Sequence, residues 1–257
     1  MSNGILLTSN TADYSASAAA FLPIVPDGLE YLNLFNGGAG TAARNLAPGK
    51  AASTIEGVPT YGAEYIATTG GNSIITSVSE TDDITIIAVH GLTESTNAIV
   101  SNQYSPRPSN PNKGANGIMV GANNFTPSNG LIENVIAFAG AYDAATDGAA
   151  TSSPGPSFNN IPIGGVMCRA VTFDEPAGVV TQKNMTSGAS VTGTRTAGLS
   201  RDKNNGKLKI GAGYAGTFNG PAQVYAVAIY SRVLSADEIA KVHAWLKKYY
   251  ALKGIAL

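Results

Sequence analysis

The chain has 257 residues, of which 44% are hydrophobic and only 13% charged, and its formal net charge is −1. This near-neutral charge, without a block of like charges, argues against strong attraction to a nucleic-acid backbone or to an anionic membrane surface. No stretch approaches the ~20 apolar residues of a membrane span, so membrane insertion is not expected either. All-β chains of this length often form one domain.

Residues 1–30 are rich in serine and alanine, and their small apolar cluster is interrupted by Pro23 and Pro26. We interpret them as an N-terminal arm that precedes a single β-sandwich domain over residues 31–257. The opening residues lack the basic and long apolar regions of a signal peptide, which indicates synthesis in a cytoplasm. An arm with so little apolar content is expected to gain order on another chain, which predicts a homo-oligomer.

Short β-type runs, punctuated by Gly, Asn, Pro and Ser, recur from residue 31 onward and predict many strands. The predicted strands are Tyr31–Phe35, Tyr65–Ile66, Ile74–Val78, Ile84–His90, Ala98–Ser101, Gly117–Val120, Glu133–Phe138, Val166–Phe173, Val179–Lys183, Lys207–Ile210 and Gln223–Tyr230. Ile84–His90 and Gln223–Tyr230 are apolar on both faces, which is typical of inner strands in a two-layer stack. Residues 139–165 show no periodicity and are predicted to be a long loop.

One helix is predicted over residues 235–252. Ser235 and Glu238 form a capping-box pattern, and Gly254 suits a C-terminal stop. An apolar stripe at helical spacing follows the cap, formed by Ile239, Val242, Trp245, Leu246 and Tyr249. The stripe predicts that the helix docks on the sandwich with Trp245 buried between them.

Two motifs suggest cofactors or metals, and neither fits its context. Gly211–Gly216 matches the dinucleotide fingerprint GxGxxG, but the turn residues Thr217–Pro221 follow where a helix would have to begin. The single Cys168 and two well-separated histidines argue against a disulfide or a structural zinc site. A calcium site built from Asp143, Asp147, Asp174 and Glu175 is possible in principle but lacks a recognisable spacing. We therefore predict no cofactor.

Glu80 and Asp82 stand at alternate positions before a predicted strand, as carboxylates do in some glucanase clefts. Retaining glycoside hydrolysis requires two carboxyl groups about 5–5.5 Å apart. The next residue on the same face is Ile84, so the catalytic set is incomplete and no enzyme activity is predicted. We interpret both acids as solvated turn residues.

Two groups of segments resemble the concanavalin A-like lectin/glucanase superfamily, in its laminin G-like form. The first comprises Arg44–Leu46, Gly49–Lys50, Gly57–Tyr61, Tyr65–Thr69 and Asp83–Val89; the second comprises Leu208–Gly211, Phe218–Gly220 and Ala226–Ile239. The resemblance implies an all-β, two-layer antiparallel jelly-roll sandwich with one C-terminal α-helix. The ending Trp245–Tyr249 is similar to that of bacteriophage virion versions, many of which are trimeric adhesins.

The resemblance implies a non-enzymatic phage virion protein of the tail tip, fibre or capsid surface, assembled as a trimer. Its partners would be other virion proteins and a host surface polysaccharide. Two alternatives remain open at this point, a free carbohydrate-binding lectin module and a glycoside hydrolase with an unrecognised site.

The polar segments 101–125 and 140–162 combine amide groups with aromatic rings, the two kinds of group that hold neutral sugars. The candidate ligand-binding residues are Tyr104, Asn123, Asn124, Phe125, Tyr142 and Asp143. The alternative is that the aromatic rings only anchor these loops to the sandwich.

Overall fold

The computed structural model describes residues 23–93, 95–108, 110–124, 130–148, 153–215 and 218–257. The elements of these residues are, in chain order, β1 (Leu29–Asn33), α1 (Ala39–Ala42), β2 (Thr54–Glu56), β3 (Thr60–Tyr61), β4 (Ile66–Thr68), β5 (Ser73–Ser79), β6 (Ile84–Gly91), β7 (Asn97–Ser101), β8 (Ser105–Arg107), β9 (Asn110–Ala115), β10 (Ile118–Asn123), β11 (Leu131–Ala139), β12 (Ala141–Tyr142), β13 (Ser157–Pro162), β14 (Val166–Asp174), β15 (Val179–Asn184), β16 (Ser190–Thr194), β17 (Ser200–Arg201), β18 (Lys207–Ile210), β19 (Ala222–Tyr230) and α2 (Ala236–Ala251).

Most strands belong to two antiparallel sheets that pack face to face. In the first sheet the strand order is β16-β15-β14-β6-β19-β4-β3, and β1 also pairs with β19. In the second sheet the order is β13-β11-β10-β7-β18-β5-β2. This arrangement confirms the predicted all-β sandwich with its C-terminal helix.

The main core lies between the sheets and is rich in β-branched side chains. All eight residues of β6 are buried, and this strand pairs with β14 on one side and β19 on the other. Ile84 and Ile86 face the second sheet in the main core, whereas Ile87 and Val89 belong to a second cluster beneath α2. Strands buried on both faces need apolar residues at every position, which confirms the inner-strand prediction for Ile84–His90 and Gln223–Tyr230.

The helix α2 begins after Ser235, and both hydrogen bonds of the predicted capping box are present. Its contact face consists of Val242, Leu246, Tyr249 and Tyr250, all of them buried. Trp245 packs against the same cluster, which confirms its predicted place between the helix and the sandwich, but its side chain is only partly buried. Tyr250 lies one turn after Leu246 and fills the interface, because the helix faces the sheet along the 242–246–250 line. Neither described helix is long and apolar enough to cross a membrane.

The predicted loop over residues 139–165 is wrong in part, since it contains β12 and the six-residue strand β13. The latter pairs with β11 at the edge of the second sheet. Only Phe158 of β13 is buried, while Asn159 and Asn160 are exposed. Because β13 has only one buried apolar side chain, its sequence lacks the alternation of apolar and polar residues that predicts a strand.

Three polar side chains are enclosed between the sheets near β11. Arg169 is fully buried, and its Nη1 donates to the carbonyl oxygens of Gly121 and Ile136, each at 3.1 Å. Gln182 donates to the carbonyl oxygens of Val135 and Pro156 at 3.0 and 2.8 Å. His90 is buried as well, and desolvation together with the charge of Arg169 lowers the pKa of His90 to about 3.

We predict that His90 makes the fold acid-sensitive. The unfolded chain binds a proton on this imidazole below pH ~6.5, whereas the folded chain does so only near pH 3. Stability should therefore be unaffected above pH 6.5 and fall as the pH drops toward 3, by up to ~1.4 kcal/mol per pH unit. Urea unfolding at pH 7.5 and 5.0 measures the loss, and His90→Asn should lose less over the same interval. An equal loss in both proteins would contradict the prediction, because both retain His243.

Candidate functional site

One end of the sandwich is built from polar segments that are far apart in the chain. The hairpin β8–β9 lies beside the short β12–β17 pair and the 202–206 loop. Asn204 donates from Nδ2 to the carbonyl oxygen of Asn102, and the Gly206 amide donates to the Ser105 hydroxyl at 2.9 Å. These contacts join the segments into one surface, which we call the loop end.

A buried ion pair lies at the centre of the loop end. Arg107 is only 3% exposed, and its Nε donates to Oδ1 of the fully buried Asp202 at 2.8 Å. The second oxygen of Asp202 accepts from the Asn116 amide at 2.9 Å. Arg107 also contacts Asp147, which in turn binds Lys113. With both carboxylate oxygens satisfied, this pair fixes three segments relative to one another.

A second buried pair corrects the interpretation of Glu80 as a solvated turn residue. Its side chain is fully buried, contacts the Arg201 guanidinium and accepts from Asn102 Nδ2 at 2.8 Å. Burial raises the pKa of Glu80 despite these partners. The sequence could not reveal this burial, because Arg201 lies 121 residues away. Asp82, by contrast, is 65% exposed and pairs with Lys203.

Tyr104 has the most exposed aromatic ring among the described residues, at 44%. Its backbone is left-handed, with φ at 64°, a conformation that costs a bulky residue about 1–3 kcal/mol. The Tyr104 amide donates to the carbonyl oxygen of Ala115 at 2.8 Å, which holds the residue in place. A strained backbone that presents a large ring to solvent is typical of a binding site.

Tyr214 is 39% exposed, and its backbone lies beside that of Gln103, the residue before Tyr104. Its amide donates to the carbonyl oxygen of Gln103 at 2.9 Å, and its hydroxyl donates to that of Lys207 at 3.1 Å. The side chain of Gln103 is buried, and its Oε1 has no hydrogen-bond partner. We refer to Gln103, Tyr104 and Tyr214 as the tyrosine patch.

Sequence reasoning missed Tyr214 because this residue belongs to the glycine-rich segment interpreted as a bend. That interpretation fits Gly211, whose φ is 85° and whose Cα lies against Thr68. The signal that could have indicated an exposed Tyr214 was its place among glycines between two strands, because small neighbours give a tyrosine ring little to pack against.

Tyr142 and Asp143 also lie at the loop end. The Arg107 guanidinium lies 4.2 Å from the Tyr142 ring centroid, and the ammonium group of Lys209 lies 4.9 Å from the Tyr214 ring centroid. An open depression of about 190 Å³ adjoins the Tyr142 ring, lined by Arg107, Pro108, Tyr142, Arg201, Asp202 and Lys203. Asp143 is half-buried, and hydrogen bonds from Thr146 and the Ala145 amide lower the pKa of its carboxyl group.

Asn123 and Asn124 lie at the opposite end of the second sheet. Asn123 is the last residue of β10, and Asn124 follows it. The first residue of β10, Ile118, adjoins the loop end and lies about 17 Å from Asn123 at the usual rise per residue. Asn123 Oδ1 accepts from the Thr96 hydroxyl, which also accepts from the Asn124 amide at 3.0 Å. The structure therefore brings together Tyr104, Tyr142 and Asp143 but separates them from the two asparagines. Phe125 lies outside the described residues.

The four acidic residues considered for calcium do not converge. Asp147 binds Lys113, Glu175 binds Arg195 at 2.6 Å, and Asp174 accepts from the Ala177 amide. Within the described part of the chain, no group of three or more His, Cys, Asp or Glu side chains is placed to hold a metal ion.

Solved structures with the same kind of sandwich are similar to this chain. No protein-family model matches the sequence, and no curated protein is detectably similar to it. A Trypanosoma rangeli sialidase in complex with sialic acid matches at 14% identity and a TM-score of 0.53, over 84% of this chain and 32% of the sialidase. A botulinum neurotoxin DC binding domain in complex with SialylT matches at 10% identity and a TM-score of 0.57, over 86% and 52%.

Domain 4 of the Geobacillus stearothermophilus arabinanase AbnA, in complex with arabinotriose, matches at 13% identity and a TM-score of 0.52. This match covers 83% of the present chain and 97% of that domain. The chain thus spans about a third of the sialidase and about half of the toxin binding domain. At these identities the similarities show a shared β-sandwich fold.

We predict that Asp202 is essential for the loop end. Asp202→Ala leaves Arg107 buried without its main partner and should cost ~3–5 kcal/mol of unfolding free energy. Asp82→Ala, the matched control at an exposed ion pair, should change it by less than about 1 kcal/mol. Urea unfolding of both variants measures the difference, and similar small losses would show that the buried pair does not hold the segments together.

Proposed function

We propose that this chain is a non-catalytic glycan-binding protein whose tyrosine patch contacts the sugar. The observation that carries the proposal is the pair of exposed rings of Tyr104 and Tyr214, held on neighbouring backbone segments. Sugars bind by stacking their C–H faces on aromatic rings while amides and hydroxyls bond their hydroxyl groups.

The fold supports this proposal by analogy. The sialidase, the toxin binding domain and the arabinanase domain that share the sandwich were solved in complex with sialic acid, SialylT and arabinotriose, respectively. Fold alone does not determine function, so the analogy adds weight only beside the exposed tyrosines of this chain.

Two carboxylates of the loop end, those of Glu80 and Asp202, support binding rather than hydrolysis. Glycoside hydrolysis needs one carboxyl group free to donate a proton and a second that faces the sugar. Glu80 is fully buried against Arg201, and Asp202 is fully buried against Arg107. Carboxylates in such pairs cannot approach a glycosidic bond, so we expect no release of reducing ends from polysaccharides.

We predict that the two rings act together in glycan binding. Tyr104→Ala and Tyr214→Ala should each weaken binding by about fivefold, because each removes a stacking contact of ~1 kcal/mol. Tyr104→Phe is the matched control, since it keeps the ring and should bind nearly as well. Binding is measured on immobilised oligosaccharides that include sialylated and arabinan structures.

Melting temperatures distinguish this role from an anchoring role of the rings. Unchanged melting with weakened binding supports the proposal, whereas lower melting with intact binding means that the tyrosines only hold the loops. The absence of binding to any oligosaccharide by the unaltered protein would contradict the function itself.

We further propose that the chain works on the surface of a bacteriophage particle, beside other virion proteins. The similarity of Ala226–Ile239 and Trp245–Tyr249 to phage virion endings supports this setting. Weak single-site sugar contacts gain strength when several copies bind together, which favours a homo-oligomer and, from the resemblance, a trimer.

We predict a trimer in solution. Light scattering across micromolar concentrations should give a mass three times that of the 26.2 kDa chain. A constant monomer mass over this range would contradict the oligomer while leaving the glycan-binding proposal intact.

A further inference from the structure

A groove of about 390 Å³ runs beside α2 on the outer face of the first sheet, away from the loop end. It lies between the first turns of the helix and the strands β14 and β15. Its lining residues are Ala170, Thr172, Thr181, Lys183, Gly188, Ser190, Val233, Leu234, Ala236 and Ile239. A volume of this size is within the usual range for small-ligand sites.

The strand register gives the groove a floor of hydroxyl groups. Thr172 pairs with Thr181 and with Thr85, while Thr181 pairs with Thr192, so four threonines form one row across four strands. Thr85 is buried, because its hydroxyl donates to the Arg232 carbonyl oxygen and accepts from the Leu234 amide. Thr172 and Thr181 lie beyond that cover and line the groove, where the Thr181 hydroxyl is 2.9 Å from the Thr192 hydroxyl and shares a hydrogen bond with it.

The adjoining row adds positive charge. Lys183 stands between Ala170 and Ser190 in the register, next to the threonine row. On the helix, Ala236, Ile239, His243 and Lys247 follow one stripe, so His243 and Lys247 continue the wall that the first two residues begin. Burial lowers the pKa of His243, and the charges of Lys247 and Lys183 lower it further, in agreement with the positions of these lysines on the helix stripe and in the strand register.

These cations face no nearby carboxylate among the described residues. Neither Lys183 nor Lys247 forms an ion pair there, in contrast to the arginines of the loop end. On the sheet, Asp174 lies about 13 Å along the strands from the Lys183 row, and its carboxylate accepts from the Ala177 amide. On the helix, Glu238 is held by Arg232, and Asp237 lies about 15 Å along the axis from Lys247.

We propose that this groove is a second saccharide site, specific for an oligosaccharide that carries carboxylate groups, such as a uronic acid polymer. Lys183 and Lys247 bind the carboxylates, the hydroxyls of Thr172, Thr181 and Ser190 bind the sugar hydroxyls, and Val233 with Ile239 cover an apolar sugar face. Charge complementarity selects this occupant, because adjacent lysines without acidic partners repel each other until an anion binds. The site goes beyond the function proposed for the tyrosine patch and does not depend on it.

The experiment measures binding of trigalacturonate to the full-length chain by isothermal titration calorimetry. Its methyl ester serves as the matched uncharged probe and should bind at least about tenfold more weakly. Lys183→Ala and Lys247→Ala should each weaken trigalacturonate binding by about tenfold, with unchanged melting temperature. Lys241→Ala is the control, since Lys241 is an exposed lysine on a different face of the same helix.

The outcomes separate this site from general charge effects and from the loop end. Tyr104→Ala should leave trigalacturonate binding unchanged, which distinguishes the groove from the tyrosine patch. Equal binding of acid and ester, an equal effect of Lys241→Ala, or no binding of trigalacturonate would overturn the proposal. Displacement by inorganic phosphate at comparable concentration would also overturn it, because the groove would then bind anions without regard to the sugar.

Discussion

The loop end depends on two arginine–carboxylate pairs that the sandwich encloses. Burying a charge costs several kcal/mol unless a partner and hydrogen bonds replace the lost water. Asp202 has Arg107 and the Asn116 amide as partners, and Glu80 has Arg201 and Asn102. Each pair joins segments about a hundred residues apart. The two pairs can therefore form only when the sheets have packed together and the loops have reached their final positions. The position of Tyr104 depends on the Arg107–Asp202 pair, because Tyr104 directly precedes the strand β8, which carries Arg107.

Much of the fold could be predicted from the sequence, and the failures have a common cause. Strands with alternating or continuous apolar residues, such as Ile84–Gly91 and Ala222–Tyr230, have a pattern fixed by the core they face. β9, β13 and β16 were not predicted, because they are largely polar and mostly exposed. Their positions are decided by pairing with a neighbouring strand, and pairing partners that are distant in the chain leave no local signal. The capping box of α2 could be predicted because all of its contacts lie within four residues.

The candidate site could be predicted less well. Composition indicated the polar segments and selected Tyr104, but it could not show that Asn123 and Asn124 lie at the far end of β10. A strand carries residues from one end of a sheet to the other within six positions, so neighbours in sequence can belong to opposite surfaces. Tyr214 illustrates the converse case. It reaches the tyrosine patch through a backbone hydrogen bond to Gln103, 111 positions earlier, which no motif in either segment anticipates.

The groove beside α2 forms because the helix covers only part of the outer face of the first sheet. The helix covers apolar residues of β19, β6 and β14, including Ala228, Val89 and Ala170. The sheet continues for two further strands, and there its outer face changes from apolar residues to threonine, serine and Lys183. The helix forms a wall beside this polar part of the sheet, and the two together form an open groove. A sandwich of this kind can therefore present two chemically different surfaces, an aromatic one at the loop end and a cationic, hydroxyl-rich one beside the helix.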